Sequence, residues 1–146
     1  MNQKLPTLGQ IERQLSQSIQ KLYREELGHS PQKVTCKLFG NNLSIVIENA
    51  LTAVEKTLVD NDNNKYKTIK NLNLAINDAI KSKLKIIVRT VLAVEVEDIL
   101  FSSNIDTMRA GAIVILQEPP KTYNPKSMPK IRQSESKQEQ QDSKET

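Results

Sequence analysis

Three acidic residues stand close together late in the chain, Glu95, Glu97 and Asp98, and paired carboxylates are what glycosidic cleavage or a proton relay requires. Glu95 and Glu97 fall on one side of an extended segment, with Val94 and Val96 on the other, which is the pattern of a half-solvated strand. Asp98 breaks that alternation, and a β-bulge here would let Ile99 and Phe101 turn inward. Asp60, Asp62 and Asn64 have the first, third and fifth spacing of a calcium loop. Lys65, however, stands where that loop needs glycine, and Asn71 where it needs a bidentate glutamate, so a solvated interhelical loop is expected. His29 is the single histidine and Cys36 the single cysteine, which excludes multi-ligand zinc motifs and iron–sulfur clusters. Cys36 lies on the apolar side of an alternating stretch, where a thiol acts as a small buried hydrophobe, and His29 reads as an exposed turn residue. Gly9, Gly28, Gly40 and Gly111 are the only glycines and form neither a Walker loop nor a dinucleotide fingerprint. Gly111, inside a strand, marks a bulge or close packing. No catalytic, metal or cofactor-binding residue is expected, and the chain reads as non-enzymatic.

The basic residues are more suggestive. Lys65, Lys67, Lys70, Lys81, Lys83, Lys85 and Arg89 face only one acid, Asp78, within their segment. At helical spacing Lys67, Lys70, Lys81 and Lys85 share a stripe with Asn71, Leu74 and Asp78, away from the apolar side. Such a stripe suits an anionic lipid surface, an acidic protein loop or phosphates, and it also suits plain solvent exposure. Aromatic residues interleaved for base stacking are missing, so nucleic acid is the lesser alternative, with the basic helix and the tail as its means.

The elements that would position these residues follow from periodicity. Leu8, Ile11, Leu15, Ile19 and Leu22 form one helical stripe from about Leu8 to Leu27; Thr7 with Gln10 makes a capping box before it, and Gly28 and Pro31 end it. Val34, Cys36 and Leu38, then Leu43, Ile45 and Ile47, alternate with polar neighbours, giving a hairpin over 33–39 and 43–49 with its turn at Gly40, Asn41 and Asn42. Thr52 and Glu55 form a second capping box, opening a short helix with Val54 and Leu58 inward. A long helix over 65–92 follows, with Tyr66, Ile69, Leu72, Ile76, Ile80, Leu84, Ile87 and Val91 as its core stripe. Strands are expected at 94–101 and 110–116, joined by a turn region over 102–109. The order α-β-β-α-α-β-β fits a two-layer α+β fold with a four-stranded antiparallel sheet and helices on one face. The last strand is apolar on both sides, so Ile113 and Ile115 need a second layer. Together with a helix of about 40 Å by the standard rise, this predicts a homodimer.

Composition bounds the rest. The chain has 146 residues, 21 basic and 17 acidic side chains, a formal net charge of +4 and 37% apolar residues. Residues 1–118 read as one domain, and 119–146, with Pro119, Pro120, Pro125, Pro129 and a Ser/Gln/Lys/Glu-rich end, as a disordered tail. The N-terminal residues lack the apolar core of a secretory signal and no run is long enough to span a bilayer, so a cytoplasmic protein is expected.

The segment from Glu26 to Val59 resembles a small bacterial family, the C component (MpsC-like) of a sodium-translocating, membrane-potential-generating system. Gly28 and Pro31 before the strand at Val34, and Leu51-Thr52 followed by Glu55, Lys56 and Leu58, carry the likeness; the later hairpin, Val94 to Leu116 with Asp106 in its turn, agrees. Ser30 stands where the family pattern has glycine, and Ala53 where proline is frequent. The resemblance implies an accessory protein of a membrane ion-transport or inorganic-carbon-uptake system, peripheral to the inner membrane face. It transfers no catalytic residue. Lys67, Lys70, Lys81, Lys85, Ile113 and Ile115 are therefore the candidate partner-binding residues.

Overall fold

The computed structural model describes residues 5–52, 55–56 and 66–122, with side chains in the last segment from Lys70 onward. The elements are α1 (Leu8–Leu27), β1 (Lys33–Phe39), β2 (Asn42–Glu48), α2 (Tyr66–Leu92), β3 (Val96–Asn104) and β4 (Arg109–Leu116). The strands form one antiparallel sheet in the order β1-β2-β4-β3. The short helix expected after Thr52 is described only at Glu55 and Lys56. Val54, Leu58, the acidic loop at 60–64 and the tail beyond Thr122 lie outside the described residues.

The period-two pattern sets which side of the sheet is buried. Val34, Cys36 and Leu38 of β1, Leu43, Ile45 and Ile47 of β2, and Ala110, Ala112, Val114 and Leu116 of β4 all point into the core. Against them pack Ile11, Leu15, Ile19 and Leu22 of α1 and Ile80, Leu84, Val88 and Leu92 of α2. The fold is thus a two-layer α+β arrangement, sheet on one side and helices on the other.

Local chemistry sets the corners. α1 ends in a left-handed glycine cap: Gly28, at φ +61°, donates its N–H to Arg24 O, and His29 N–H donates to Tyr23 O. The β1–β2 turn has Gly40 at φ +58° and no positive φ at Asn41, the signature of a type II′ connection with glycine first. The β3 ladder shifts register between Val96 and Asp98, which leaves Glu97 and Asp98 exposed while Val96 and Ile99 are both buried. This is the bulge that Asp98 demanded.

Several boundaries differ from expectation: β2 spans Asn42–Glu48, β3 begins at Val96 and β4 begins at Arg109. β3 runs to Asn104, so Ser102 and Ser103 belong to the strand and the turn is confined to 105–108. Serines suggest a turn, but here pairing with Gly111 and Ala110 extends the ladder. The buried line of α2 also lies about one position round from the apolar stripe. Asn73, Val88 and Leu92 are buried, Ile76, Ile87 and Val91 are half-buried beside the core, and Leu72 is half-buried. A polar residue takes the central line because it has a buried partner, described next.

Candidate functional site

Glu55 is the most deeply buried ionisable side chain among the described residues, 1% exposed. The capping box forms as expected: Thr52 N–H donates to Glu55 Oε1 at 2.9 Å, and Glu55 N–H donates to Thr52 Oγ1 at 3.3 Å. Thr52 Oγ1 also lies 3.1 Å from Oε1. The other oxygen, Oε2, accepts from Asn73 Nδ2 at 2.6 Å. Asn73 Oδ1 in turn accepts from Ser103 Oγ at 2.5 Å and Asn77 Nδ2 at 3.3 Å, and Asn77 Nδ2 reaches Ser103 Oγ at 3.0 Å. The network pins the start of the short helix, α2 and β3 to one another. Beyond the capping box, periodicity gave no sign of it, since the bonds between elements join residues 18 to 30 positions apart. Its outer members open onto a cleft of about 670 Å³ that is also lined by Lys70, Asp78, Asp106 and Arg109. Arg109 is committed elsewhere, its Nε 2.7 Å from Glu48 Oε1.

Lys81 and Lys85 are exposed on the flank of α2 and share a second cleft, about 380 Å³, with Glu97 and Asp98. The same helix places Lys83 Nζ 3.3 Å from Glu26 Oε1 and Arg89 Nη1 3.8 Å from Glu95 Oε1. The basic helix therefore faces its own acids, and the Glu95–Asp98 carboxylates stand in solvent opposite cations. Lys70 is exposed at the first cleft, and the side chain of Lys67 lies outside the described residues.

Ile113 and Ile115 lie on the sheet face away from the helices. The ladders align Lys37, Ser44, Ile113 and Leu100 in one row across the strands, and Thr35, Val46, Gly111 and Ser102 in the next. Leu100 is 60% exposed, Ile113 42% and Phe39 70%; Ile115 is half-buried. Lys81 reaches the rim of this face, where a shallow depression of about 550 Å³ lies over Ile113, Leu100, Val46 and Gly111. The structure thus brings Lys81 beside Ile113 and sets Lys70 at a different cleft.

Cys36 is 3% exposed, and burial pushes its thiol up from 9.0 to about 11; Ser16, as a hydrogen-bond partner, lowers it, and the carboxylate of Glu12 raises it further. A thiol held protonated is a poor nucleophile. Burial likewise raises the Tyr23 hydroxyl well above its ordinary range, with the Glu55 carboxylate adding to it. His29 is half-buried, not an exposed turn residue: its Nε2 lies 2.7 Å from the carbonyl of Asn49, a residue at φ +55°. The side chain fastens the end of α1 to the exit of β2. Among the described residues no group of three His, Cys, Asp or Glu side chains converges as metal ligands, and no helix is long and apolar enough to cross a membrane.

A two-layer α+β domain whose outer sheet face is uncovered by any described residue is the class the geometry defines. The family model described as Na+-translocating membrane potential-generating system (MpsC) matches residues 7–118, and the chain belongs to that family. No curated protein and no solved structure matches it. The family is described as a component of a membrane-potential-generating system.

Proposed function

We propose that this chain is a non-enzymatic accessory or regulatory component of a membrane ion-transport system, docking on other protein subunits from the cytoplasmic side, peripheral to the inner membrane face. The observation that carries this reading is the bare outer face of the sheet, where Leu100, Ile113 and Val46 stand exposed around Gly111 with no described residue of the chain covering them. Contiguous apolar surface of this kind marks interaction sites. Of the groups that could do chemistry, Glu55 is held by Thr52 and Asn73, Cys36 is buried, and Glu95 pairs with Arg89. Lys81, beside the apolar patch, supplies a cation at its rim for an acidic loop or an anionic headgroup; Lys70 and Lys85 lie on the same helix. A homodimer belongs to this reading.

Nucleic-acid association through the basic helix and the tail is the alternative. The pairing of Lys83 with Glu26 and of Arg89 with Glu95 speaks for docking instead, because phosphate binding draws on uncompensated cations.

Affinity capture of the tagged full-length chain from gently solubilised cells, at low and high salt, separates the two. Membrane transport subunits that stay bound at high salt, and are lost with Ile113→Asp plus Leu100→Asp, are expected. Recovery of only nucleic acid or ribosomal material, removed by salt, would replace this reading with the alternative.

A further inference from the structure

Gly111 lies in the middle of the outer sheet face, and the side chain it lacks gives that face a socket. The depression of about 550 Å³ has Gly111 on its floor and the exposed Val46, Ile113 and Leu100 around it. A Cβ on Gly111 would come within 3.0 Å of the carbonyl oxygen of Ile45, so the neighbouring strand itself keeps the floor low. At protein interfaces, bulky side chains seated in such sockets carry most of the binding energy.

The margins of this face are basic at the same level. On β1, Lys37 stands in the row of Ile113 and Leu100, with its side chain 62% exposed. Across the sheet, Lys81 of α2 reaches the rim beside Leu100. Lys37 Nζ lies 3.8 Å from Glu12 Oε1, whose other oxygen accepts from the Leu38 amide at 2.9 Å. The acids of the face stand away from the socket. Glu48, one row beyond Val46, is paired with Arg109, and Asp98 is one row beyond Leu100, opposite Ile115.

The dimensions select what can lie there. Three strand spacings separate β1 from β3, about 14 Å, and a helix with its side chains is about 10 Å across. A helix laid along β2 and β4 therefore fits between the lysine margins. From Asn42 to Glu48 the face runs about 20 Å, the length of about 13 helical residues. Helices already cover the other face, and a helix on each side of a sheet is a stable layering.

We propose that the outer face seats one amphipathic helix of a partner protein, with a bulky apolar side chain in the Gly111 socket and carboxylates on both flanks reaching Lys37 and Lys81. The exposed flank of α2, with Lys81 and Lys85, has the wrong charge for that place, so a second copy of this chain does not supply the helix. The inference rests on the docking reading above and adds the shape, length and charge of what docks.

The probes are two helical peptides of about 15 residues, both with leucine along one face, one with glutamate and the other with lysine on its flanks. Each is titrated into the full-length chain and followed by amide NMR. The glutamate peptide should bind at roughly 10 μM and move the amides of Val46, Gly111 and Ile113, and the lysine peptide should bind roughly tenfold more weakly. Lys37→Glu combined with Lys81→Glu should reverse the preference, with unchanged circular dichroism showing that the fold is intact. Equal binding of both peptides, binding of neither, or a preference that ignores the charge reversal overturns the proposal. So does a dimer that protects the same amides without peptide, which assigns the face to a second copy, or a response only to anionic phosphatidylglycerol vesicles, which assigns it to lipid. The docking reading fails separately: transport subunits whose capture depends on Ile113 and Leu100 but not on Lys37 and Lys81 would uphold docking and remove the acidic helix.

Discussion

Asn73 Nδ2 donates to Glu55 Oε2 at 2.6 Å, joining α2 to the capping box at Thr52, with both side chains buried. The bond explains why an asparagine occupies the core line of an otherwise apolar helix, and why the Thr52–Glu55 box is more than a local cap. Glu55→Ala should lower unfolding free energy by about 2–4 kcal/mol, because it strands the Asn73 amide and the Thr52 N–H without acceptors in a dry site. Glu55→Gln, which keeps the shape but sets a donor amide against donors, should cost about half as much. Urea unfolding at constant slope measures both, and equal stability of all three proteins would remove the network from the account.

Alkaline pH should destabilise the fold. The Cys36 thiol titrates at about 11 in the folded chain against an ordinary 9.0, so between these values the unfolded state has released a proton that the folded state still holds. Stability from this source is complete below pH 9 and falls on the order of 1 kcal/mol per pH unit above it. Tyr23, also raised, adds a decline of the same sign from its ordinary 10.0 upward. Cys36→Ala should cost stability at neutral pH through the lost volume, yet flatten the profile between 9 and 11. Denaturant midpoints across that range test this directly.

Leu38 N–H, on the outer side of β1, is capped by Glu12 Oε2 at 2.9 Å, and Glu12→Ala should release it. The bond carries about 1 kcal/mol, while the 3.8 Å contact of the same side chain with Lys37, itself 62% exposed, contributes little. Hydrogen exchange at Leu38 should accelerate. No change at Leu38 would mean that the cap is not formed in solution.

Gly111 and Gly40 separate two reasons for glycine. A Cβ at Gly111 would sit 3.0 Å from the carbonyl oxygen of Ile45 in the neighbouring strand, so Gly111→Ala should cost about 1–2 kcal/mol by forcing β2 and β4 apart. Gly40 has open space around it but a positive φ, so Gly40→Ala should cost about 1 kcal/mol and Gly40→Asn less. Thermal midpoints of the three variants rank them.

Much of this was legible in residue order. Alternation at Val34 to Leu38 and Leu43 to Ile47 identified the buried side of the first hairpin, and the failure of alternation at Asp98 located the bulge. Ser102 and Ser103 misled, because turn preference is local whereas strand length is set by the partner, here Arg109 to Gly111. The face of α2 was read one position off because hydrophobicity cannot reveal that Asn73 has a buried acceptor. The candidate residues were recognised by charge and apolarity alone. That Lys81 borders Ile113 while Lys70 does not depends on where α2 lies over β3, which no periodicity encodes.

The bond from Leu38 N–H to Glu12 Oε2 also guards an edge. A strand at the side of a sheet offers its free donors to any passing strand, which is how sheets stack into fibres. With this amide taken by a carboxylate of α1, that side of the sheet is a poorer template for a foreign strand.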